Sequence, residues 1–332
     1  MPSRREFIVG LGVAAAGAAL PPAGVPGVPG VVDAFAAPLY PPTDLSFFDT
    51  PIAPAPADIK FGYAAITWGG DDLKAIDEVA AVGFPGIQIR SNILDQFGSR
   101  PAALREILAR HHLTLVALSS GTIKYDAAPE TQIIDEHTSH AKFVHDVGGL
   151  YLQVIDERPK GRAITAVDYK RAGRLLTEIG KRTADLGVPL GYHNHMNALG
   201  EAPDEVDRVL DAADPRYVKL ELDVAHYRQG GGDPVSAIRK YAGRHLFFHL
   251  KDVESPRPDK ADDPKSYRWV ELGRGRVDVP AVLAAIDDIR FRGWVVVELD
   301  AVPDKARTPK ASAEINKTYL EDHGYRKNLH SH

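Results

Sequence analysis

The chain has no cysteine among its 332 residues. This absence excludes disulfide bonds, cysteine nucleophiles, thiolate zinc sites, iron–sulfur clusters and a lipid-modified N-terminal cysteine. Any metal ion held by the protein must therefore be bound by His, Asp and Glu side chains. The chain also lacks a polybasic stretch, since 45 acidic residues stand against 40 basic ones for a formal charge of −5. Nucleic acid is consequently not an expected partner.

The N-terminal residues resemble a twin-arginine export signal. Residues 3–8 read Ser-Arg-Arg-Glu-Phe-Ile, and the weakly apolar run 9–20 follows. An Ala-Phe-Ala triplet at 34–36 suits signal cleavage, so we expect residues 1–36 to be removed on export to the periplasm or the extracellular space. The alternative is a disordered tail that carries two arginines. The apolar run is short and is broken by prolines 21 and 22, so no stable membrane anchor is expected.

The remainder divides by composition into three parts. Residues 37–57 are proline-rich and are expected to lie extended. Residues 58–302 alternate between short apolar runs and amphipathic runs, which is typical of a parallel α/β fold. Residues 303–332 are polar; Ala313 to Leu320 could form a final helix, and Tyr319 and Tyr325 belong either to an interface or, as we favour, to a solvated end.

Eight strand–helix units in the central part predict a (β/α)₈ TIM barrel. The alternative is an open doubly wound sheet, but no Gly-x-Gly-x-x-Gly turn follows the first strand. The predicted strands are Gly62–Thr67, Gly86–Arg90, Thr114–Leu118, Tyr151–Ile155, Leu190–His193, Val218–Leu222, Phe247–Leu250 and Val295–Leu299. The predicted helices are Leu73–Ala81, Ala102–His111, Gln132–Val147, Tyr169–Leu186, Pro203–Ala212, Pro234–Tyr241 and Val279–Ile289.

Histidine and acidic residues fall at the ends of the last four predicted strands. In a TIM barrel, functional side chains stand at these carboxyl ends. Because side chains alternate along a strand, His193 and His195 share one face of their strand, and His249 and Lys251 likewise share one face of theirs. If those faces point inward, the side chains that converge are His193 or His195, Asp223, His249 and Glu298. A sulfur-free set of nitrogen and oxygen ligands suits one divalent ion such as Mn²⁺, Co²⁺, Mg²⁺, Zn²⁺ or Fe²⁺.

Several motifs together resemble the xylose-isomerase-like TIM barrels, the superfamily of sugar phosphate isomerases and epimerases. The resemblance covers residues 59–300, and within the superfamily it is greatest to inosose dehydratase and related keto-sugar enzymes. The motifs are Ile-Thr-Trp-Gly-Gly-Asp-Asp at 66–72, Tyr-His-Asn-His-Met at 192–196, Leu-Asp-x-x-His at 222–226, Gly-Gly-Asp-Pro at 231–234, His-Leu-Lys-Asp at 249–252, Gly-Arg-Gly-x-Val-Asp at 273–278, and Gly-Trp at 293–294 leading to Glu298.

The resemblance implies a metal site built from Asp223, His249, Glu298 and a ligand from strand five. The family has a glutamate at the strand-five position, where this chain has His193. The fourth ligand is therefore His193, His195 or Glu201. Loss of this glutamate removes one of the paired acid–base glutamates of the isomerases, which favours elimination or hydration over a two-base epimerisation.

The resemblance also implies α-proton abstraction next to a carbonyl, followed by stabilisation of the enolate. The candidate bases are His195 and His226, and Lys251 could stabilise the enolate or pair with Asp252 or Glu298. Candidates for substrate contact are weaker and have structural alternatives: Trp68 with Tyr63, Gln88, Arg90, Arg274, and the Asp156-Glu157-Arg158 run.

The sequence thus predicts an exported, metal-dependent enzyme acting on a keto-sugar, keto-glycoside or keto-cyclitol as a dehydratase or lyase. One alternative is a sugar isomerase or epimerase, and another is an exported sugar-binding barrel without catalysis. The expected partner is a small carbohydrate substrate, and assembly into a homo-oligomer is compatible with this interpretation. An endonuclease-like role is disfavoured because the net charge is negative.

Overall fold

The computed structural model describes residues 57–124, 126 and 128–329. The predicted export signal at 1–36 and nearly all of the proline-rich segment at 37–57 lie outside these residues. None of the helices in the described part of the chain combines the length and the apolar character needed to cross a bilayer.

Eight parallel strands form a closed barrel, which confirms the predicted fold. Their order around the barrel follows the chain, and the last strand pairs with the first. The barrel strands are β1 (Asp58–Ala64), β2 (Gly86–Arg90), β3 (Thr114–Ile123), β4 (Tyr151–Asp156), β5 (Leu190–His193), β6 (Val218–Asp223), β7 (His245–Leu250) and β10 (Arg292–Val297). Two further strands, β8 (Asp252–Glu254) and β9 (Arg268–Val270), form an antiparallel hairpin after β7.

Helices follow the strands and cover the outside of the barrel. They are α1 (Asp72–Val82), α2 (Leu94–Phe97), α3 (Pro101–Arg110), α4 (Glu130–Val147), α5 (Ala166–Asp185), α6 (Pro203–Ala212), α7 (Val224–Gln229), α8 (Pro234–Lys240), α9 (Val279–Asp288) and α10 (Pro309–Asp322). Short 3₁₀ turns occupy Ala65–Trp68, Ser91–Ile93, Pro258–Lys260 and Arg326–Leu329.

The first strand lies nearer the N-terminus than the sequence predicted. It begins at Asp58, because residues 58–63 pair with 292–297 of β10 and close the barrel. Exposed Asp58 and Lys60 alternate with buried residues at this end, so the segment is not a continuous apolar run. The predicted end at Thr67 instead falls in the 3₁₀ turn Ala65–Trp68.

A small apolar cluster fills the barrel interior away from the strand ends. Its members come from β1, β3, β7 and β10, and only the interior brings strands from different sides of a barrel together. Gly86 is needed here, because a Cβ atom would lie 2.4 Å from the Trp294 ring. The cluster consists of Ala64, Val116, Ala117, Phe247, Trp294 and Val296. It leaves polar side chains to occupy the interior nearer the strand ends.

The C-terminal segment is part of the barrel wall, so its interpretation as a solvated end is wrong. Helix α10 packs against α1. Asn316 is buried, accepts from the Leu272 N–H at 2.8 Å and donates to the Tyr63 hydroxyl at 3.0 Å. Tyr325 packs edge-on against Phe61 of β1, with ring centroids 5.6 Å apart. These contacts extend the folded unit past residue 302 to Leu329, which is also buried.

Candidate active site

The four side chains expected to converge do lie together. His193 ends β5, Asp223 ends β6, His249 is in β7, and Glu298 directly follows β10. The pairing of β6 with β7 sets Asp223 beside His249. One ligand atom of each residue lies within 4.8 Å of those of the other three, and all four side chains are buried. Of the three candidates for the strand-five ligand, His193 is the one in this group.

The donor atoms that face one another suit a divalent cation. His249 Nδ1 lies 3.2 Å from Glu298 Oε2 and 3.7 Å from Asp223 Oδ2. Both His249 Nδ1 and Asp223 Oδ2 are buried without a hydrogen-bond partner. The other Asp223 oxygen accepts the N–H groups of Ala225 and His226 at 2.8 Å, which fixes the carboxylate. Buried polar atoms usually have partners, and this oxygen-and-nitrogen set is one that a divalent ion would complete.

The ionisation of these residues is strongly coupled. Burial lowers the pKa of His249, but the carboxylates of Glu221 and Glu298 outweigh this effect and raise it well above its usual value. Burial raises the pKa of Glu298, but His249 and Lys251 hold it well below its usual range. Burial lowers the pKa of His193, so this ring is neutral. Around neutral pH the cluster therefore pairs an imidazolium with a carboxylate.

Lys251 brings a second buried positive charge to the cluster. Its Nζ lies 2.9 Å from Glu298 Oε2 and 2.5 Å from Asp300 Oδ1. The ring of Trp269 covers the ammonium group, with its centroid 4.3 Å from Nζ. Burial lowers the pKa of Lys251, but Glu298 and Asp300 raise it above the usual value. The side chain is therefore charged when it meets a ligand.

The main chain of Met196 sets the two candidate bases in opposite tautomers. His195 Nδ1 lies 2.6 Å from the Met196 carbonyl oxygen, which can only accept, so this nitrogen carries the proton. The Met196 N–H donates to His226 Nδ1 at 3.1 Å, so the proton of His226 is on Nε2. The ring centroids are 3.8 Å apart. His195 therefore offers a free Nε2 lone pair, whereas His226 offers an N–H.

This geometry favours a donor role for His226 over the role of base that the sequence also offered. Its Nε2 lies 3.2 Å from Lys251 Nζ and 3.7 Å from Asp223 Oδ2. Burial and the charge of Lys251 lower the pKa of His226, so the ring is neutral. Lys251 donates to Glu298 and Asp300, and its Nζ also lies 3.2 Å from His226 Nε2. An ammonium can only donate, so with the His226 proton on Nε2 this contact places two donors side by side. Together they can stabilise negative charge on an oxygen atom.

Glu221, behind the histidines, was not identified from the sequence. It is fully buried in β6, where it pairs in register with His193 of β5. Glu221 Oε1 lies 3.4 Å from His193 Nδ1 and 2.7 Å from His249 Nε2. Burial raises the pKa of Glu221 to about 7. The signal was present in the sequence, since Glu221 precedes Asp223 by two residues and so shares its face of the strand.

Gln88 lies behind the cluster instead of at the open end of the barrel, where substrate contact was expected. Its Oε1 is 2.7 Å from His249 Nε2, and its Nε2 donates to Gln153 Oε1 at 3.3 Å. The side chain is 3% exposed. Both ends of the amide are thus engaged by protein, so Gln88 positions His249.

The other residues proposed for substrate contact have contacts outside the cluster. Trp68 donates to Glu78 of α1 at 2.6 Å and packs against Tyr63. Arg90 is exposed, and its positive charge partly offsets the rise that burial causes in the pKa of Asp72. Arg274 is exposed, and its Nη1 lies 3.5 Å from Glu271 Oε2. Of the remaining ligand candidates, Glu201 accepts the Asn197 N–H at 2.6 Å.

Asp156 of the run after strand four supports the loop that carries His195. It is buried at the end of β4 and accepts from the Tyr192 hydroxyl at 2.8 Å and the Leu199 N–H at 2.9 Å. Arg158 is committed to a paired contact with Glu205. Asp156 therefore acts on the site through the loop.

The β8–β9 hairpin covers one side of the cluster, and a cavity opens beside His195. Trp269 of the hairpin contacts both Lys251 and His226, and Tyr267 packs on Trp269 with ring centroids 5.0 Å apart. The cavity has a volume of about 270 Å³, and its lining includes His195, Asn197 and Lys160. A cavity of this size suits a ligand the size of one sugar ring.

Ionisable side chains at the carboxyl ends of a closed parallel barrel define a protein of the TIM-barrel enzyme class. The chain belongs to the xylose isomerase-like TIM barrel family, whose pattern matches residues 76–321. It is 26% identical over 297 residues to inosose dehydratase from Lacticaseibacillus casei, which covers 79% of this chain and 96% of the relative. It is 28% identical over 283 residues to the rhizopine catabolism protein MocC from Rhizobium meliloti, which covers 75% of this chain and 83% of the relative.

Solved structures share the fold. The IOLI protein, whose crystal structure has a zinc atom, superposes with a TM-score of 0.67 and 21% identity over 80% of this chain and 98% of its own. The probable 3-DHS dehydratase AsbF from Bacillus anthracis has a TM-score of 0.65 and 16% identity over 79% of this chain and 98% of its own. The similarity to inosose dehydratase supports an enzymatic role for this chain.

Proposed function

We propose that the protein is a metal-dependent dehydratase of keto-cyclitols or related keto-sugars. The observation that carries this proposal is the buried group of His193, Asp223, His249 and Glu298 next to a histidine with a free lone pair and two adjoining donors. The similarity to inosose dehydratase supports the substrate class.

His193, Asp223, His249 and Glu298 would hold one divalent ion. The fit rests on their mixed donor set and on the partnerless buried atoms of Asp223 and His249. When bound, such an ion polarises a carbonyl or hydroxyl oxygen of the substrate. The zinc of the IOLI structure is a property of that protein, but it supports the search for an ion here.

In the proposed reaction, His195 moves the proton. Its Nε2 accepts the hydrogen from the carbon next to the ketone, and the resulting imidazolium returns a proton to the departing hydroxyl group. The C–H and C–O bonds break, a C=C bond forms, and one water leaves. The His226 N–H and the Lys251 ammonium donate to the oxygen on which negative charge develops. His226 stays a donor, because giving up its proton would leave an imidazolate.

Proton NMR in D₂O tests this proposal directly. The full chain is supplied in turn with Mn²⁺, Co²⁺, Mg²⁺, Zn²⁺ and Fe²⁺, and is offered an inosose, a 3-keto-glycoside and a plain ketose. We expect α-proton exchange and loss of water from the inosose. Exchange with only carbonyl migration or inversion would support an isomerase instead. Absence of exchange with every substrate and metal would contradict catalysis of this kind.

A matched pair of variants tests the role of His195. His195→Ala removes the free Nε2 lone pair and should reduce turnover by about 10²- to 10⁴-fold, the usual contribution of a general base. Its metal content should stay the same if the four-residue group holds the ion, whereas loss of the ion would point to the second set among the described residues, His193, His195 and His226. His323→Ala changes an exposed histidine after α10 and should leave turnover unchanged. Equal activity of both variants would refute the assignment of the base.

A further inference from the structure

Glu221 makes two contacts to rings that are candidate metal ligands. Its side chain is 0% exposed, and one oxygen, Oε1, lies 3.4 Å from His193 Nδ1 and 2.7 Å from His249 Nε2. The position is imposed by the sheet, since Glu221 and His193 are register partners on neighbouring strands. In His249 the contacted nitrogen, Nε2, is the one opposite Nδ1, which faces Asp223 and Glu298.

We propose that Glu221 is a positioning residue that fixes the protons of both rings in opposite tautomers. Neither contact has full hydrogen-bond geometry, but an ionised carboxylate can only accept, so in each ring the nitrogen that faces it is the one expected to carry the proton. His193 is then protonated on Nδ1 and has a free Nε2, whereas His249 is protonated on Nε2 and has a free Nδ1. This inference rests on the proposed metal site, for which one free nitrogen per ring is required.

The neighbouring amides support the assignment for His249. Gln88 Oε1 also lies 2.7 Å from His249 Nε2, and Gln153 Oε1 accepts from the Gln88 amide nitrogen. His249 Nε2 is therefore flanked by two acceptors, and His249 Nδ1 is the atom near Asp223 and Glu298. Ring orientation by a carboxylate behind a ligand histidine strengthens metal binding in general.

The environment of Glu221 also indicates that this side chain has a role other than packing. Neither carboxylate oxygen has a hydrogen bond of normal geometry, although the side chain is fully buried. Burying a carboxylate in this way costs free energy, which a nearby positive centre offsets. In the metal-free protein the His249 imidazolium, 2.7 Å from Glu221, is that positive centre, and a divalent ion bound by the two rings would replace it.

Titration of the metal alone into three full-chain variants tests the proposal. Co²⁺ binding is measured calorimetrically for the unmodified protein, Glu221→Gln and Glu221→Met. Gln keeps an acceptor oxygen without charge, and Met keeps the volume without an acceptor. We expect the affinity for Co²⁺ to fall by about 10- to 100-fold in Glu221→Met, as for other carboxylates behind metal ligands. The loss in Glu221→Gln should be smaller.

The control is Glu271→Gln, which neutralises another buried glutamate. Glu271 contacts Arg307 and Ser312, far along the chain from the strand-five histidine, and its replacement should leave Co²⁺ affinity unchanged. Equal affinities of Glu221→Met and the unmodified protein would overturn the inference while leaving the metal site intact. A purely structural role predicts similar losses for Glu221→Gln and Glu221→Met, and this result would overturn it too.

Histidine ¹⁵N NMR supplies a readout that is independent of activity. In Zn²⁺-loaded protein we expect His193 as the Nδ1–H tautomer and His249 as the Nε2–H tautomer. The same tautomer on both rings would overturn the proposal. If the unmodified protein binds no divalent ion, the proposed function fails separately. The His193 tautomer in the metal-free protein still decides the role of Glu221, since only Glu221→Met should release it.

Discussion

A proton and a metal ion compete for the same atom of His249. The pKa of His249 is raised well above its usual value, mainly by Glu221 and Glu298 acting against burial. Below that pKa, Nδ1 carries a proton that must leave before the atom can bind an ion.

We therefore predict that divalent metal affinity rises with pH, by about tenfold per pH unit below the pKa of His249. Metal uptake should release a proton, which calorimetry detects as a dependence of the binding heat on the ionisation enthalpy of the buffer. An affinity that is independent of pH between 6 and 8, without proton release, would contradict the assignment of His249 as a ligand.

At the residue scale the sequence predicted which side chains meet, but not what each one does. The strand-end rule brought Asp223, His249, Glu298 and one of His193 and His195 together because it depends only on topology. Alternation also marks Glu221, but does not tell whether a carboxylate stands among the ligands or behind them. The different roles of His195 and His226 depend on a backbone conformation, which leaves no trace in residue type.

At the scale of elements, the β8–β9 hairpin could not be predicted. Each strand has three residues, which is too short for an apolar periodicity to appear. The hairpin nevertheless brings Trp269 over Lys251 and His226. Its base is held by Asp252, which accepts the N–H groups of Gly275 and Val277 at 2.8 and 3.0 Å.

Removing the hairpin's aromatic cover should impair turnover without metal loss. We predict that Trp269→Ala lowers kcat/KM by up to about tenfold, because the cation–π contact that shields the Lys251 ammonium disappears. Steady-state kinetics with the substrate found by NMR measures the effect. Arg268→Ala, which breaks only the partly exposed contact to Glu254, serves as the control and should stay within twofold.

Helix α10 was underestimated because, apart from Leu320, the side chains that it buries are small or polar. Ser312, Ala313 and Asn316 are buried, yet they do not form the apolar stripe that indicates a core-facing helix. The segment was interpreted as a solvated end, but the buried polar side chains of the helix form hydrogen bonds to the rest of the barrel domain.

Asn316→Ala should therefore destabilise the whole fold. The substitution leaves the buried Leu272 N–H without its acceptor and should lower the free energy of unfolding by about 1–3 kcal/mol. Urea unfolding measures this change, and metal affinity should be unaffected. Lys310→Ala, at an exposed position of the same helix, should change stability by no more than about 0.5 kcal/mol. Equal stability of the two variants would show that Asn316 does not anchor α10.

At the scale of the whole molecule, the alternation of strands and helices predicted a parallel α/β fold, and the lack of a Gly-x-Gly-x-x-Gly turn after the first strand favoured the closed barrel over an open doubly wound sheet. In a closed barrel of eight strands that alternate with helices, each strand pairs with its neighbours along the chain. Residues 58–297 form such a barrel. The predicted C-terminal end of the barrel domain at residue 302 was less reliable, because helix α10 packs against the barrel largely through polar contacts.

We propose that residues 1–36 direct the folded chain across the membrane by the twin-arginine route. Replacing both Arg4 and Arg5 with lysine should retain the precursor in the cytoplasm, because the paired arginines carry the resemblance. Fractionation of cells followed by immunoblotting measures the distribution, and a chain of residues 37–332 provides the unexported reference. Unchanged export of the double-lysine variant would refute this route.

The main chain of Met196 has a consequence for how this site tolerates change. Its carbonyl oxygen and N–H orient His195 and His226, whereas its side chain takes no part in either hydrogen bond. A saturation-mutagenesis profile would therefore record position 196 as permissive, with proline as the exception because it has no N–H. The conformation of the main chain, and not the residue type at position 196, thus fixes part of the acid–base assignment. A comparison of residue identities alone does not detect it.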